Sequence, residues 1–111
     1  RISPDLELDL HPLLLQLADE ADAARGAARF RGGLAAALTD WIEHALALEH
    51  CDTVVLGGGC MHNRLLSAML DTALSTRGLT VLGARRLSPG DAGIALGQAW
   101  VARHRLTHKE T

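Results

Sequence analysis

The sequence has few of the residue types that define a nucleic-acid-binding protein or a small secreted domain. Aromatic residues make up only 3% of the 111 residues, and 11 basic side chains stand against 13 acidic ones, for a net charge of -2. This composition argues against nucleic-acid binding, because it provides neither a basic face nor stacking platforms. Two cysteines, Cys51 and Cys60, are too few for a disulfide framework.

Long apolar runs and a recognisable leader are also lacking. We therefore expect a cytoplasmic protein that does not enter a membrane. The first residue is Arg1 rather than methionine, which we interpret as a sign that the chain is part of a longer protein. The apolar content of 48% is enough for a core, and we expect one compact unit if its sheet is complete.

The first half of the sequence predicts two helices. After an irregular opening stretch, Pro12 and leucines at helical spacing predict a helix that ends near Arg25, with Asp9 or His11 as its cap. Gly26 is expected to break the chain before a second amphipathic helix, which places the helical region at 10–49.

The second half predicts a strand, a helix, a strand and a helix over residues 53–105. The β-branched, apolar segment 53–56 is typical of a strand buried on both faces. A helix should follow from Asn63 to Gly78, and a second strand should cover 79–82. The last helix should begin at Asp91.

This order of elements predicts an α/β fold. The two strands should run parallel through a right-handed crossover, and a sheet this small should be extended by strands elsewhere in a longer domain. Residues 1–111 would then form one C-terminal piece of that domain. We expect the last helix to pack closely through Gly93 and Gly97, ahead of a polar tail at 107–111.

The most informative segment runs from the first strand through Gly57, Gly58 and Gly59 into the next helix. Backbone N–H groups and the positive helix end meet there, which favours an anionic ligand such as a phosphate. The spacing matches neither the dinucleotide-binding motif nor the P-loop, and a purely structural turn is the alternative. Asn63 stands where a helix cap is expected, and its amide could also hydrogen-bond a sugar or base.

Asp91 is the second candidate site residue. It follows the second strand, and the carboxyl ends of parallel strands meet at one edge of a sheet, where ligands collect. A carboxylate there could bind a metal ion that also touches a phosphate, while helix capping is the alternative. We therefore expect the glycine turn and Asp91 to converge on one pocket.

Four other residues invite a zinc hypothesis: His50, Cys51, Cys60 and His62. Their spacing fits no tetrahedral zinc module, and buried thiols are the preferred interpretation of the two cysteines.

Three segments, 30–48, 53–66 and 89–99, resemble in unbroken order the end of the HypF carbamoyltransferase family. The resemblance implies a partial nucleotide-binding lobe of the actin and sugar-kinase type, with a short parallel sheet and about four helices. It also implies similarity to the threonylcarbamoyl-transferring tRNA-modification enzymes, which are the alternative family.

The same resemblance implies roles for individual residues. Gly57, Gly58 and Gly59 would approach the phosphates of ATP, Asn63 would lie by the nucleoside, and Asp91 would bind a divalent metal ion. Catalytic residues are not identified. Zinc is expected only in modules that precede this region, as is a histidine pair that completes the metal site.

The activity implied is that of hydrogenase maturation. The full enzyme would use carbamoyl phosphate and ATP to carbamoylate the C-terminal cysteine of HypE, the partner in cyanide-ligand synthesis, and this chain alone would be inactive. A third interpretation is a non-catalytic interaction module. For the enzyme fragment and for the interaction module alike, we expect an upstream lobe or a second copy to cover the edge of the sheet.

Overall fold

The α-helices and strands follow one another along the chain in the order that the sequence predicts. The computed structural model describes residues 1–109. The elements are α1 (His11–Ala18), α2 (Ala23–Leu48), β1 (Thr53–Leu56), a 3-10 helix (Gly59–His62), α3 (Arg64–Thr76), β2 (Thr80–Gly83), a second 3-10 helix (Asp91–Gly93) and α4 (Ile94–His108). The described part of the chain thus confirms an α/β architecture with four α-helices and a short sheet.

The break between α1 and α2 lies earlier than predicted. The Asp22 carboxylate caps α2 by accepting hydrogen bonds from the N–H groups of Ala24 and Arg25, at 2.9 and 3.2 Å. Gly26 lies inside the first turns of α2, so the predicted helix to Arg25 and break at Gly26 are wrong. A side-chain cap stabilises a helix by about as much as an interior glycine destabilises it. The Asp22 cap can therefore start α2 at Ala23 even though Gly26 lies in its first turns.

The opening residues form a small hairpin against α2. Ile2 and Leu8 make an isolated antiparallel bridge, and the indole nitrogen of Trp41 donates to the carbonyl oxygen of Leu6 at 2.6 Å. Asp9 accepts a 2.9 Å hydrogen bond from the N–H of His11. The N-cap position of α1 is nevertheless Leu10, with no side-chain cap hydrogen bond, so the prediction that Asp9 or His11 caps the helix is wrong.

The strands β1 and β2 pair in parallel, as predicted, with Val55 opposite Leu82. The second strand begins one residue later than predicted. Leu56 packs on the core, but Val55 is 72% exposed and Leu82 is also exposed. The prediction of burial on both faces is wrong, because neighbouring strand residues point to opposite faces and the described residues cover only one of them.

The core lies between α2 and α3. Leu66, Leu70 and Leu74 of α3 are buried, and Ala35 of α2 packs with the first two. These leucines recur at the three-to-four-residue spacing that places side chains on one face of a helix. Burial of each such side chain stabilises the folded state by roughly 1.5–3 kcal/mol. β1 packs on this core through Leu56.

α4 extends away from the core. None of its residues is buried, and the molecule is 60 Å long with a radius of gyration of 17.3 Å, against about 13 Å for a compact chain of about 100 residues. A compact unit is predicted only for a complete sheet, and the described residues form a sheet of two strands and are not compact. No helix within residues 1–109 combines the length and apolarity needed to cross a membrane.

The two glycines of the last helix behave differently. A Cβ on Gly93 would lie 2.7 Å from the carbonyl oxygen of Ser88, which confirms a close approach there. A Cβ on Gly97 would meet nothing within 4 Å, so close packing at Gly97 is not found. The predicted polar tail is wrong at 107–108, where α4 continues, while residues 110–111 lie outside the described part of the chain.

Candidate functional site

The three glycines after β1 form an open turn. Gly58 adopts φ 98° and ψ 160°, a conformation that side-chain-bearing residues rarely reach. Cβ atoms built on Gly57, Gly58 and Gly59 would meet nothing within 4 Å, so there is open space beside the turn. The turn does not lead straight into α3, because the 3-10 helix Gly59–His62 intervenes.

Asn63 begins α3 as its cap. The side-chain oxygen Oδ1 accepts hydrogen bonds from the N–H groups of Leu65 and Leu66, both at 3.1 Å. The capping alternative for Asn63 is thus confirmed. Its amide nitrogen makes no hydrogen bond within residues 1–109 and keeps its capacity to donate to a ligand.

The loop that carries Asp91 lies directly against the glycine turn. The backbone N–H of Gly58 donates to the carbonyl oxygen of Pro89 at 2.7 Å. A Cβ on Gly90 would lie 3.3 Å from the Cα of Gly59, closer than an ordinary van der Waals contact. The structure therefore brings the two predicted loops together at one edge of the sheet, although their roles in binding stay predictions.

Asp91 begins the second 3-10 helix and is exposed. Its carboxylate makes no hydrogen bond or ion pair within the described part of the chain, and α4 is not capped by a side chain. The capping alternative for Asp91 is therefore not found. Residues 1–109 contain no group of three or more His, Cys, Asp or Glu side chains arranged to hold a metal ion.

His62 and Ser88 are part of this site, and the sequence analysis assigned neither a role there. The Nε2 atom of His62 lies 3.1 Å from the hydroxyl oxygen of Ser88. The same hydroxyl accepts a 3.1 Å hydrogen bond from the N–H of Gly90. The only signal in the sequence is that a polar residue stands within three positions of each motif, His62 after the glycines and Ser88 before Asp91.

The two cysteines are free and exposed, which corrects the prediction of buried thiols. The Cys51 thiol donates to the carbonyl oxygen of Thr53 at 3.3 Å. Cys60 lies in the 3-10 helix after the glycine turn. The zinc hypothesis for His50, Cys51, Cys60 and His62 finds no support, since the described residues form no such cluster.

An apolar groove of about 450 Å³ adjoins the turn on the uncovered face of the sheet. Its walls come from the strands and from the loop before α4. The apolar side chains that line it include Val55, Leu82, Leu87 and Ile94.

The glycine turn and the loop before Asp91 thus meet at one edge of a parallel sheet in an α/β fold. A family model described as the second subdomain of the Kae1-like domain of carbamoyltransferases matches residues 2–98. The chain belongs to this family.

Three relatives are similar over most of this chain. Carbamoyltransferase HypF2 of Cupriavidus necator is 51% identical over 95% of it, and a HypF homolog of the same organism is 49% identical over 96%. Carbamoyltransferase HypF of Rhizobium leguminosarum bv. viciae is 45% identical over 89%. The chain spans 13%, 28% and 13% of the lengths of these relatives, respectively. The resemblance to the HypF family is confirmed.

Proposed function

We propose that this chain is the C-terminal portion of a hydrogenase maturation carbamoyltransferase and forms one side of its nucleotide and metal site. Family membership supports the reaction class. The observation that supports the site is the 2.7 Å hydrogen bond between the glycine turn and the loop that carries Asp91. Because the two loops touch, a phosphate at the turn would lie near the carboxylate.

The glycine turn would receive the phosphates of ATP, a substrate of the reaction. Space for them lies beside all three glycines, where a Cβ would meet no other atom. Gly58 already uses its N–H in the bond to Pro89, so its contribution is conformational, and the amides of Gly57 and Gly59 are the candidate donors. The amide nitrogen of Asn63 would face the nucleoside.

Asp91 would hold a divalent cation beside those phosphates. Its carboxylate suits such an ion, because hard cations prefer oxygen ligands, and it has no competing partner in residues 1–109. Since residues 1–109 form no cluster of three or more ligating side chains, further ligands would come from other parts of a longer protein. When bound, the cation would supply charge neutralisation at the phosphates.

The reaction would transfer a carbamoyl group from carbamoyl phosphate. Loss of inorganic phosphate would leave carbamate, whose oxygen would attack the α-phosphorus of ATP and release pyrophosphate, giving carbamoyl-adenylate. The thiolate of the C-terminal cysteine of HypE would attack the carbamoyl carbon, forming a C–S bond as the C–O bond to AMP breaks. The residues of this chain would bind and orient the nucleotide portion. We expect the chain alone to show no turnover, because it provides one side of the site.

The test uses the full-length protein that contains this chain, with HypE, ATP and carbamoyl phosphate, and detects carbamoylated HypE by mass spectrometry. We expect ATP-dependent modification of the C-terminal cysteine, and none after deletion of residues 53–109. Failure of the intact protein to modify HypE would contradict the proposal.

Three further measurements on the same protein separate the two alternatives: a tRNA-modification assay, size-exclusion chromatography and a nucleotide titration. Modification of tRNA in place of HypE would favour the tRNA-modifying relatives. Self-association without nucleotide binding would favour a non-catalytic interaction module, for which the exposed face around Val55 and Leu82 is the supporting observation.

A further inference from the structure

His62 links the two loops of the site through its side chain. Its Nε2 atom lies 3.1 Å from the Ser88 hydroxyl oxygen and 3.5 Å from the position of a Cβ on Gly90. We propose that His62 is a positioning residue, whose hydrogen bond to Ser88 sets the distance between the Asp91 carboxylate and the glycine turn. This inference rests on the proposed function, in which the two loops form one site.

Three consecutive residues before Asp91 each contact the segment that follows β1. Ser88 bonds His62, Pro89 accepts from the N–H of Gly58, and Gly90 packs on Gly59. Asp91 comes next in the chain and has no contact of its own that holds its carboxylate. Its position therefore depends on how these three contacts fix the preceding loop.

The Ser88 hydroxyl is the junction of these contacts. A serine hydroxyl has one donor hydrogen and two acceptor lone pairs. The N–H of Gly90 occupies one lone pair at 3.1 Å, and His62 either donates to the second or accepts the hydroxyl hydrogen, depending on its tautomer. Both arrangements orient the same oxygen, so His62 and Gly90 together define the path of the loop just before Asp91.

Two of these three contacts involve backbone alone, namely the Gly58–Pro89 hydrogen bond and the close approach of Gly90 to Gly59. The His62–Ser88 bond is the third and adds an attachment through side chains from the end of the 3-10 helix. His62 is exposed and outside the core cluster, so core packing does not account for its contact.

The experiment uses the full-length protein with MnCl2 and ATP as probes. An electron paramagnetic resonance titration of free Mn²⁺ gives the half-saturating Mn²⁺ concentration by direct binding, and a carbamoyl-transfer assay gives kcat and the KM for ATP. In His62→Leu the half-saturating Mn²⁺ concentration should rise about 3- to 10-fold, the factor that matches the typical net contribution of one hydrogen bond. Ser88→Ala should behave alike. His62→Gln, whose amide reaches a similar position, should stay within about twofold of the unsubstituted protein.

His44→Leu is the matched control. His44 lies on the exposed side of α2 and, within residues 1–109, bonds only the carbonyl oxygen of Asp40, four residues earlier in the same helix. Its half-saturating Mn²⁺ concentration should equal that of the unsubstituted protein.

The outcomes separate positioning from a purely structural role. A structural role would shrink the active fraction, so kcat would fall in His62→Leu while the half-saturating Mn²⁺ concentration stayed unchanged, and that result would overturn the inference. If His62→Leu does not fold, the smaller change Ser88→Ala decides in the same way. An unsubstituted protein that binds neither ATP nor Mn²⁺ would overturn the proposed function as well, which distinguishes the two failures.

Discussion

The N–H of Gly58 donates a 2.7 Å hydrogen bond to the carbonyl oxygen of Pro89. This bond joins the turn after the first strand to the loop after the second, although the two residues are far apart in the sequence. The pairing of β1 with β2 in parallel makes it possible, because both strands end at the same edge of the sheet. The glycine turn and the loop that ends at Asp91 thus become neighbours.

The turn should tolerate a side chain at Gly57 but not at Gly58. Gly58→Ala should destabilise the domain by about 1–3 kcal/mol, because φ 98° is a strained conformation for alanine. Gly57→Ala should leave stability unchanged, since its methyl group meets no atom within 4 Å. Thermal unfolding of the full-length variants measures the difference, and equal melting temperatures would refute the strain argument.

Gly57→Ala should nevertheless weaken ATP binding. Its methyl group would enter the space that the phosphates are proposed to occupy. Isothermal titration with ATP tests this, and an affinity unchanged from the unsubstituted protein would place the phosphates elsewhere.

A methyl group on Gly93 should disturb the loop before α4. It would lie 2.7 Å from the carbonyl oxygen of Ser88, a backbone atom that cannot yield without moving the loop, so Gly93→Ala should cost about 1–3 kcal/mol. In the control Gly26→Ala, the nearest atom to the methyl group is a side-chain atom of Glu20 at 3.5 Å, an ordinary contact. Because alanine has the higher helix propensity, this substitution should raise the free energy of unfolding by about 0.5–1 kcal/mol. Melting temperatures that move in the same direction would contradict this contrast.

Two leucines of α3 should respond differently to truncation. Leu70 is 1% exposed and Leu65 is 58% exposed. Leu70→Ala should lower the free energy of unfolding by about 2–5 kcal/mol through lost burial and a residual cavity. Leu65→Ala should change it by no more than about 0.5 kcal/mol. Thermal unfolding checks both, and an equal loss at the two positions would disprove the assignment of this core.

Elements with strong local signals were predictable from the sequence. β1 occupies the predicted residues 53–56, Asn63 caps α3, and Gly78 follows α3 with φ 79°. Each depends on the chemistry of a few adjacent residues, namely β-branched side chains, a short polar cap and a glycine free to adopt positive φ. The meeting of the glycine turn with the Asp91 loop followed from the topology of parallel strands.

Features that depend on tertiary packing were not predictable. Nothing in the apolar pattern of β1 shows which of its faces is covered, so Val55 was predicted to be buried. Gly97 suggested close packing, but α4 contacts no partner near it. The His62–Ser88 contact joins residues 26 positions apart and has no local signature.

The central claim, that the glycine turn and Asp91 form one site, is tested most directly by the dependence of ATP affinity on metal. ATP affinity of the full-length protein is measured by titration calorimetry with and without MnCl2, for the unsubstituted protein, Asp91→Asn and the control Asp5→Asn, which changes an exposed acid of the opening hairpin. We predict that MnCl2 tightens ATP binding about tenfold or more in the unsubstituted protein and in Asp5→Asn, and that Asp91→Asn loses this gain. An Asp91→Asn protein that keeps the full metal-dependent gain would contradict the account.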